Sequence, residues 1–319
     1  MKRSHALLSA TIAVAMATVL GVSAATAQED PTQAPPVQKP PTIGERITGI
    51  LPARPATAAQ LSAKLAAVMP QWDASILQAP VGRNWPGDLR PVDAAKVLRD
   101  EALAARAQEA PKGALLVETA TSVLRLDPAG GRLRYVNRAR EPKAEAAQSG
   151  LRLPENAESV ALDALAQLGF PREEIGAVSA LTQSAAAGRA GAQAEWKGDL
   201  YRVISVERAI NKLPVLGSSA RIAINAEGQV QRLRATWPAF RIDPSDKLLG
   251  RDAVQRSAVE FLLDQNVKTN VDIKARLGYA PVSPRGGAML PALILSVSDG
   301  PTPMLLTVPV VSPSAADDQ

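Results

Sequence analysis

General acid–base catalysis at neutral pH draws first on histidine, and the only histidine in these 319 residues is His5, inside an apolar N-terminal stretch. Cysteine, the best neutral-pH nucleophile and soft-metal ligand, is absent. A zinc peptidase needs His-Glu-x-x-His and a Ser-His-Asp hydrolase needs its imidazole, so neither class fits a chain that has lost that stretch. Ser62 and Lys64 are formally a Ser/Lys pair, but residues two apart on a helix face different directions. The sequence holds no Gly-x-x-x-x-Gly-Lys-Ser/Thr loop and no Gly-x-Gly-x-x-Gly turn. Two carboxylates at a set separation can cleave glycosidic bonds, and Glu195, Asp199, Glu207 and Asp246 are available. None sits in a signature, and such a residue in an exposed loop is ordinarily a solvated charge. The turns Asp127-Pro128 and Asp299-Gly300 lack the ligand spacing of a calcium loop. The expectation is a non-enzymatic protein with no catalytic residue, metal or cofactor.

Arginine supplies the remaining chemistry. Arg125, Arg132, Arg134, Arg138 and Arg140 crowd one segment, and Arg221, Arg232, Arg234 and Arg241 crowd another. A guanidinium grips carboxylates and phosphates through two parallel bonds, so Arg132, Arg134, Arg138, Arg221, Arg232 and Arg234 are candidate contacts to an acidic partner, a lipid headgroup or an anionic envelope polymer. The competing reading is that they solubilise sheet faces and blunt edges. Glu207 and its neighbour Arg208 point to opposite faces of a strand, which leaves Glu207 to pair with another arginine. Trp196 and Trp237 can anchor an interface, though a strand-end tryptophan such as Trp237 is expected under its own helix. With three Phe, three Tyr and four Trp, no aromatic platform for nucleic acid is expected.

The elements that must position these groups follow from periodicity. Thr57 is an N-cap for a helix with Leu61, Leu65, Val68 and Met69 on one stripe, ending at Pro70. A second, Ala-rich helix is expected from Asp93 to Gln108. Strands follow at 114–118, 122–127 and 132–138, where Leu133 and Tyr135 face a core and Arg132, Arg134 and Arg138 face water. The order recurs: a helix over 154–168, strands near 177–183, 200–210, 220–225 and 229–237, and an Ala/Gly-rich loop over 184–194. A third round has a helix from Arg251 with Val254, Ala258, Phe261 and Leu262 on one side, then strands near 271–279, 289–298 and 303–311. The expected fold class is α+β, with tandem modules that each pack a helix on an antiparallel meander: 57–145, 150–240 and 245–312. The rival is a single larger sheet shared by two of the units.

Met1 to Ala27 has the three parts of a secretory signal: Lys2 and Arg3, an apolar run from Ala6 to Val22, and Ala25-Thr26-Ala27 for cleavage after Ala27. Retention of the run as an anchor is the alternative. Cleavage takes the formal charge from +5 to 5 − 2 = +3. With no cysteine to acylate, no lipoprotein is expected, and no later run is apolar enough to span a bilayer. The expected location is periplasmic or secreted. Residues 28–56 are Pro-rich and read as a disordered or semi-rigid tether, and 313–319 as a disordered tail.

From Tyr201 to Val230, one strand runs into Asn211-Lys212-Leu213-Pro214-Val215, Gly217 turns the chain, and two strands are joined by Asn225-Ala226-Glu227-Gly228. This stretch resembles the PepSY and thermolysin-propeptide module, whose pattern is Asn-Gly-x-Pro-Val-x-Gly, a strand, an Asp/Asn-x-x-Gly turn and another strand. Lys212 departs from it, standing where the family usually has glycine. The resemblance covers about 155–237 and extends more weakly over 250–311. It implies a cystatin-like helix-on-sheet fold and an exported module that restrains or binds a partner such as an envelope peptidase. Asn211, Pro214, Val215, Gly217 and Gly228 enter as turn residues.

Overall fold

The computed structural model describes residues 54–78, 89–111, 113–143, 150–187, 196–239, 247–281, 289–298 and 303–312. The expected signal peptide, the tether as far as residue 53 and the C-terminal tail lie outside them, as do Glu195, Arg241, Asp246 and Asp299-Gly300.

Helix α1 (Ala58–Val68) starts where Thr57 and Gln60 form a reciprocal capping box, with Gln60 N donating to Thr57 Oγ1 at 3.3 Å and Thr57 N to Gln60 Oε1 at 2.9 Å. Of its expected stripe Leu61, Leu65 and Met69 are buried and Val68 is exposed, and the buried ones do not face the hairpin that follows in sequence. It packs with Val254, Ala258 and Leu262, which lie on a later helix over 251–264. The tether's end is held as well: Ala56 N donates to Val267 O at 2.9 Å and Thr269 N to Arg54 O at 3.0 Å. A helical stripe states that one face is buried without stating against what, so the expected 57–145 module loses its first helix.

The expected helix over 93–108 is two, α2 (Pro91–Val97) and α3 (Glu101–Glu109). Arg99 takes φ 53° between them, a left-handed conformation costly for a residue with a Cβ. Asp100 secures the break. Its Oδ1 accepts from Leu103 N at 3.1 Å as the α3 N-cap, while Oδ2 accepts from Tyr135 Oη at 3.0 Å and Asn137 Nδ2 at 2.9 Å. Arg140 closes the same corner by donating to the carbonyls of Leu98, Arg99 and Val230.

Strands β1 (Leu116–Glu118), β2 (Ser122–Asp127) and β3 (Arg132–Asn137) form a meander. After α4 (Ala157–Gln167) come β4 (Ile175–Ala187), β5 (Trp196–Ile210), β6 (Leu213–Ile224) and β7 (Val230–Thr236). The order is β1-β2-β3-β7-β6-β5-β4, antiparallel throughout, because β3 pairs β7 from Arg132↔Thr236 to Val136↔Arg232. The first two expected modules therefore share one sheet, and three strands of the third continue the same sheet from β6. One core lies beneath it, where α2, α3 and α4 cover Leu124, Leu133, Tyr135, Ile204, Ile222 and Leu233. A short meander on its own is marginal, and pairing with β7 supplies both hydrogen bonds and a wider covered face.

A second core follows β8 (Lys247–Leu248). Helix α5 (Arg251–Asp264) and α1 cover β9 (Asp272–Pro281), β10 (Met289–Ser298) and β11 (Met304–Pro309), and β12 (Val311–Ser312) pairs β8. Strands β9, β10 and β11 join the rest of the sheet where Val215 of β6 bridges Tyr279 of β9 in parallel, beside Ile210 and Met289. At Gly278 a Cβ would fall 2.7 Å from Pro214 O, so only glycine permits this approach.

Replacing Asp100 with Ala should lower the unfolding free energy at pH 7 by about 2 kcal/mol, through loss of a cap and of two buried side-chain bonds. Burial opposes the Asp100 charge, yet the nearby Ser122 hydroxyl, bonds from Leu103 N and Tyr135, and the Arg140 charge hold its pKa below the ordinary aspartate range. Its contribution is complete above the unfolded value of about 3.9 and is lost as pH falls towards the lower folded value. Urea unfolding of both proteins should show the gap narrowing below about pH 4; an equal gap at pH 3 and pH 7 would contradict this.

Candidate functional site

Alternation along β2, β3, β6 and β7 puts leucines, Tyr135 and Ile222 under the helices and sends the intervening residues to the opposite face, which no helix among the described residues covers. Register then aligns the arginines. Arg125 lies directly across from Arg134, Arg134 across from Arg234, and Arg234 across from Arg221. The four are exposed and form one row perpendicular to the strands, spanning about 15 Å at the usual strand spacing. Ser205 and Ser179 extend the row onto β5 and β4. Among the described residues none of the four arginines has an ion pair. Like charges directly opposite one another destabilise a sheet, so the row strains the free protein and favours an anion that bridges neighbours.

The flanking rows are balanced. Arg132 stands across from Asp127 and Thr236, and Ser219 and Glu207 complete that row. On the other side Arg232 pairs with Glu141 at 2.7 Å and lies 5.7 Å from the centre of the Tyr201 ring. Burial is the main cause pushing the Tyr201 hydroxyl up to about 12. Arg134, Arg221 and Arg234 of the expected contacts thus converge with Arg125, and Arg132 adjoins them. Arg232 is already engaged. Arg138 leaves the strand for a single helical turn over 138–140, and Arg140 serves the Asp100 corner.

The turn residues divide differently from the expected pattern. Asn211 and Lys212, at φ 50° and 64°, are the two central residues of the β5–β6 hairpin, closed by Ile210↔Leu213. Glycine would adopt the Lys212 conformation more cheaply. Pro214 lies inside β6, paired with Ala209, and Gly217 is not a reversal. At φ 75° it occupies the register shift where β6 passes from Val215 beside β9 to Ser219 beside β7. Gly228 behaves as expected, closing the β6–β7 turn at φ 72° with its N–H donating to Asn225 O at 3.1 Å.

Periodicity did not expose the polar group inside the core. Arg208 is wholly buried and forms an ion pair with Glu174 at 2.7 Å, and Trp237 Nε1 donates to the same carboxylate at 3.0 Å. Trp237 does pack inside, edge-on to Phe170 at 5.2 Å just past α4, with the Arg208 guanidinium 5.3 Å from its ring centre. Burial lowers the Arg208 pKa, opposed by the Glu174 charge. Glu207, expected to pair with an arginine, is exposed across from Ser219.

Ser62 accepts from Gln255 Nε2 at 3.0 Å and Lys64 Nζ donates to Val271 O at 2.7 Å, so this pair serves separate partners. Asp199 accepts from Ser184 Oγ at 2.6 Å. A cleft of about 390 Å³ at the β4–β6 end gathers Glu173 and Glu207 with Arg208, Lys212 and Arg276, two acids among three cations. Among the described residues no three His, Cys, Asp or Glu side chains converge on a metal-sized site.

No family model matches this chain, and no curated protein sequence does. Among solved structures it is similar to the Bacillus megaterium YpeB C-terminal domain, at 12% identity and a TM-score of 0.30, over 68% of this chain and 92% of that one.

Glu174→Ala should remove about 3 to 5 kcal/mol of stability, because it strips a buried guanidinium of its carboxylate. Chemical denaturation measures this, and a loss under 1 kcal/mol would mean that the Arg208 charge is satisfied without Glu174.

Proposed function

We propose that this chain is a non-enzymatic exported binding or regulatory protein whose sheet face opposite the helices holds an acidic segment of another envelope protein, an envelope peptidase being the partner class that the PepSY-like stretch favours. The observation that carries this reading is the row Arg125, Arg134, Arg234 and Arg221, four exposed like charges on adjacent strands without an ion pair among the described residues. Arginines that only solubilise a face have no reason to stand directly opposite one another, where they repel. Signal-directed export is part of the same proposal. Among the described residues no helix is long and apolar enough to cross a membrane.

A second reading, an anionic envelope polymer or a lipid headgroup, is favoured by the even spacing of the row. The two readings separate by ligand: polyglutamate for an acidic protein segment, inorganic polyphosphate for a polymer, and phosphatidylglycerol vesicles for a membrane.

Arg134→Gln with Arg234→Gln removes two charges from the middle of the row while keeping side-chain length. The double variant should bind polyglutamate at least tenfold more weakly at low salt, a loss of about 1.4 kcal/mol, with a shallower dependence of log K on log salt. Its thermal midpoint should equal or exceed that of the parent protein, since the substitution relieves repulsion. Unchanged affinity and salt slope for all three ligands, or a lowered midpoint, would remove the proposal.

A further inference from the structure

Sheet edges in folded proteins are ordinarily blunted by charge, proline or brevity. Two of the edges among the described strands follow that rule. β1 is three residues long, and β11 has Pro303 before it and ends in Pro309. β4 does not. Its thirteen residues, Ile175 to Ala187, contain no charge and no proline; it pairs only β5 among the described strands, in unbroken register from Val178 to Gln183 between two register shifts.

The outer face says what fits there. One row over from the arginines, Ala223 lies across from Val203 and Val203 across from Leu181. Tyr201, Val203 and Ala223 are buried together in a small apolar cluster on this face, and the row then ends at Leu181, which is 45% exposed at the edge. We propose that β4 pairs antiparallel with β4 of a second copy of this chain, about a two-fold axis through Leu181. Each leucine would cover the other, and the row would run unbroken as Ala223-Val203-Leu181 into Leu181-Val203-Ala223 of the second copy. In this register Ser179 meets Gln183, Ala180 meets Thr182 and Val178 meets Ser184. Self-pairing of a charged edge would set like charges opposite, whereas here every facing pair is small, apolar or neutral. Both arginine rows would lie on the same side of the joined sheet, so a long acidic ligand could engage two copies at once. The pairing itself does not depend on the anion-binding reading.

The absence of native cysteine makes the register directly testable by single substitutions in the full chain. Facing Cα atoms in an antiparallel pair are about 4.5 to 5.5 Å apart, within disulfide reach. Leu181→Cys should oxidise to a covalent dimer. Ser179→Cys and Gln183→Cys should each stay monomeric when oxidised alone, because each residue would stand about 13 Å from its own copy, yet an equimolar mixture of the two should cross-link. Leu181→Lys should sediment as a monomer at concentrations where the parent is dimeric, with its circular dichroism unchanged. A parent that is monomeric at every concentration, or cross-linking equal at 179, 181 and 183, overturns the pairing. Polyglutamate binding by monomeric Leu181→Lys separates the two ideas: retained binding leaves the arginine reading intact whatever becomes of the dimer.

Discussion

Residues 132–136 of β3 run antiparallel to 232–236 of β7, and this pairing joins a short meander to the rest of the large sheet. The same register decides which side chains share a face. A slip of one residue would turn Leu133 and Tyr135 to water and drive Arg132 and Arg134 beneath the helices. Because Tyr135 also bonds Asp100, the correct register is coupled to the break between α2 and α3. The arginine row is thus a consequence of how the core is built, fixed from the opposite side of the sheet.

Polar groups inside the cores locate the elements relative to one another. Asp100 ties a helix start to a strand, and the Arg208–Glu174 pair with Trp237 ties β5 to the chain that follows α4 and β7. Each is costly to bury alone and satisfied only when several elements arrive together. The second core depends more on apolar contact, with Leu61 and Leu65 of α1 closing the side that β9, β10 and α5 leave open. An N-terminal helix packed on a C-terminal unit adds long-range contacts that no local pattern announces.

Strands were legible because alternation is a local signal, and their expected centres at 122–127, 132–138, 200–210 and 289–298 match β2, β3, β5 and β10. The α2–α3 break was not, since the Ala-rich run from 93 to 108 is helical in pattern and it is distant partners, Tyr135 and Asn137 on Asp100 and Arg140 on the Leu98 and Arg99 carbonyls, that hold the break. The partner of α1 was invisible for the same reason: a stripe carries no address. The arginines were recognisable as a class, but which of them stand together depends on register across four strands. Arg134, Arg221 and Arg234 fell into line with Arg125, whereas Arg138 and Arg232 did not.

The central claim is that the four aligned guanidiniums act as one receptor. Arginine side-chain NMR of the Nε–H groups during titration with polyglutamate tests it most directly. Signals of Arg125, Arg134, Arg221 and Arg234 should move together along one saturation curve while buried Arg208 stays in place. Shifts scattered over arginines outside the row, or none within it, would contradict the account.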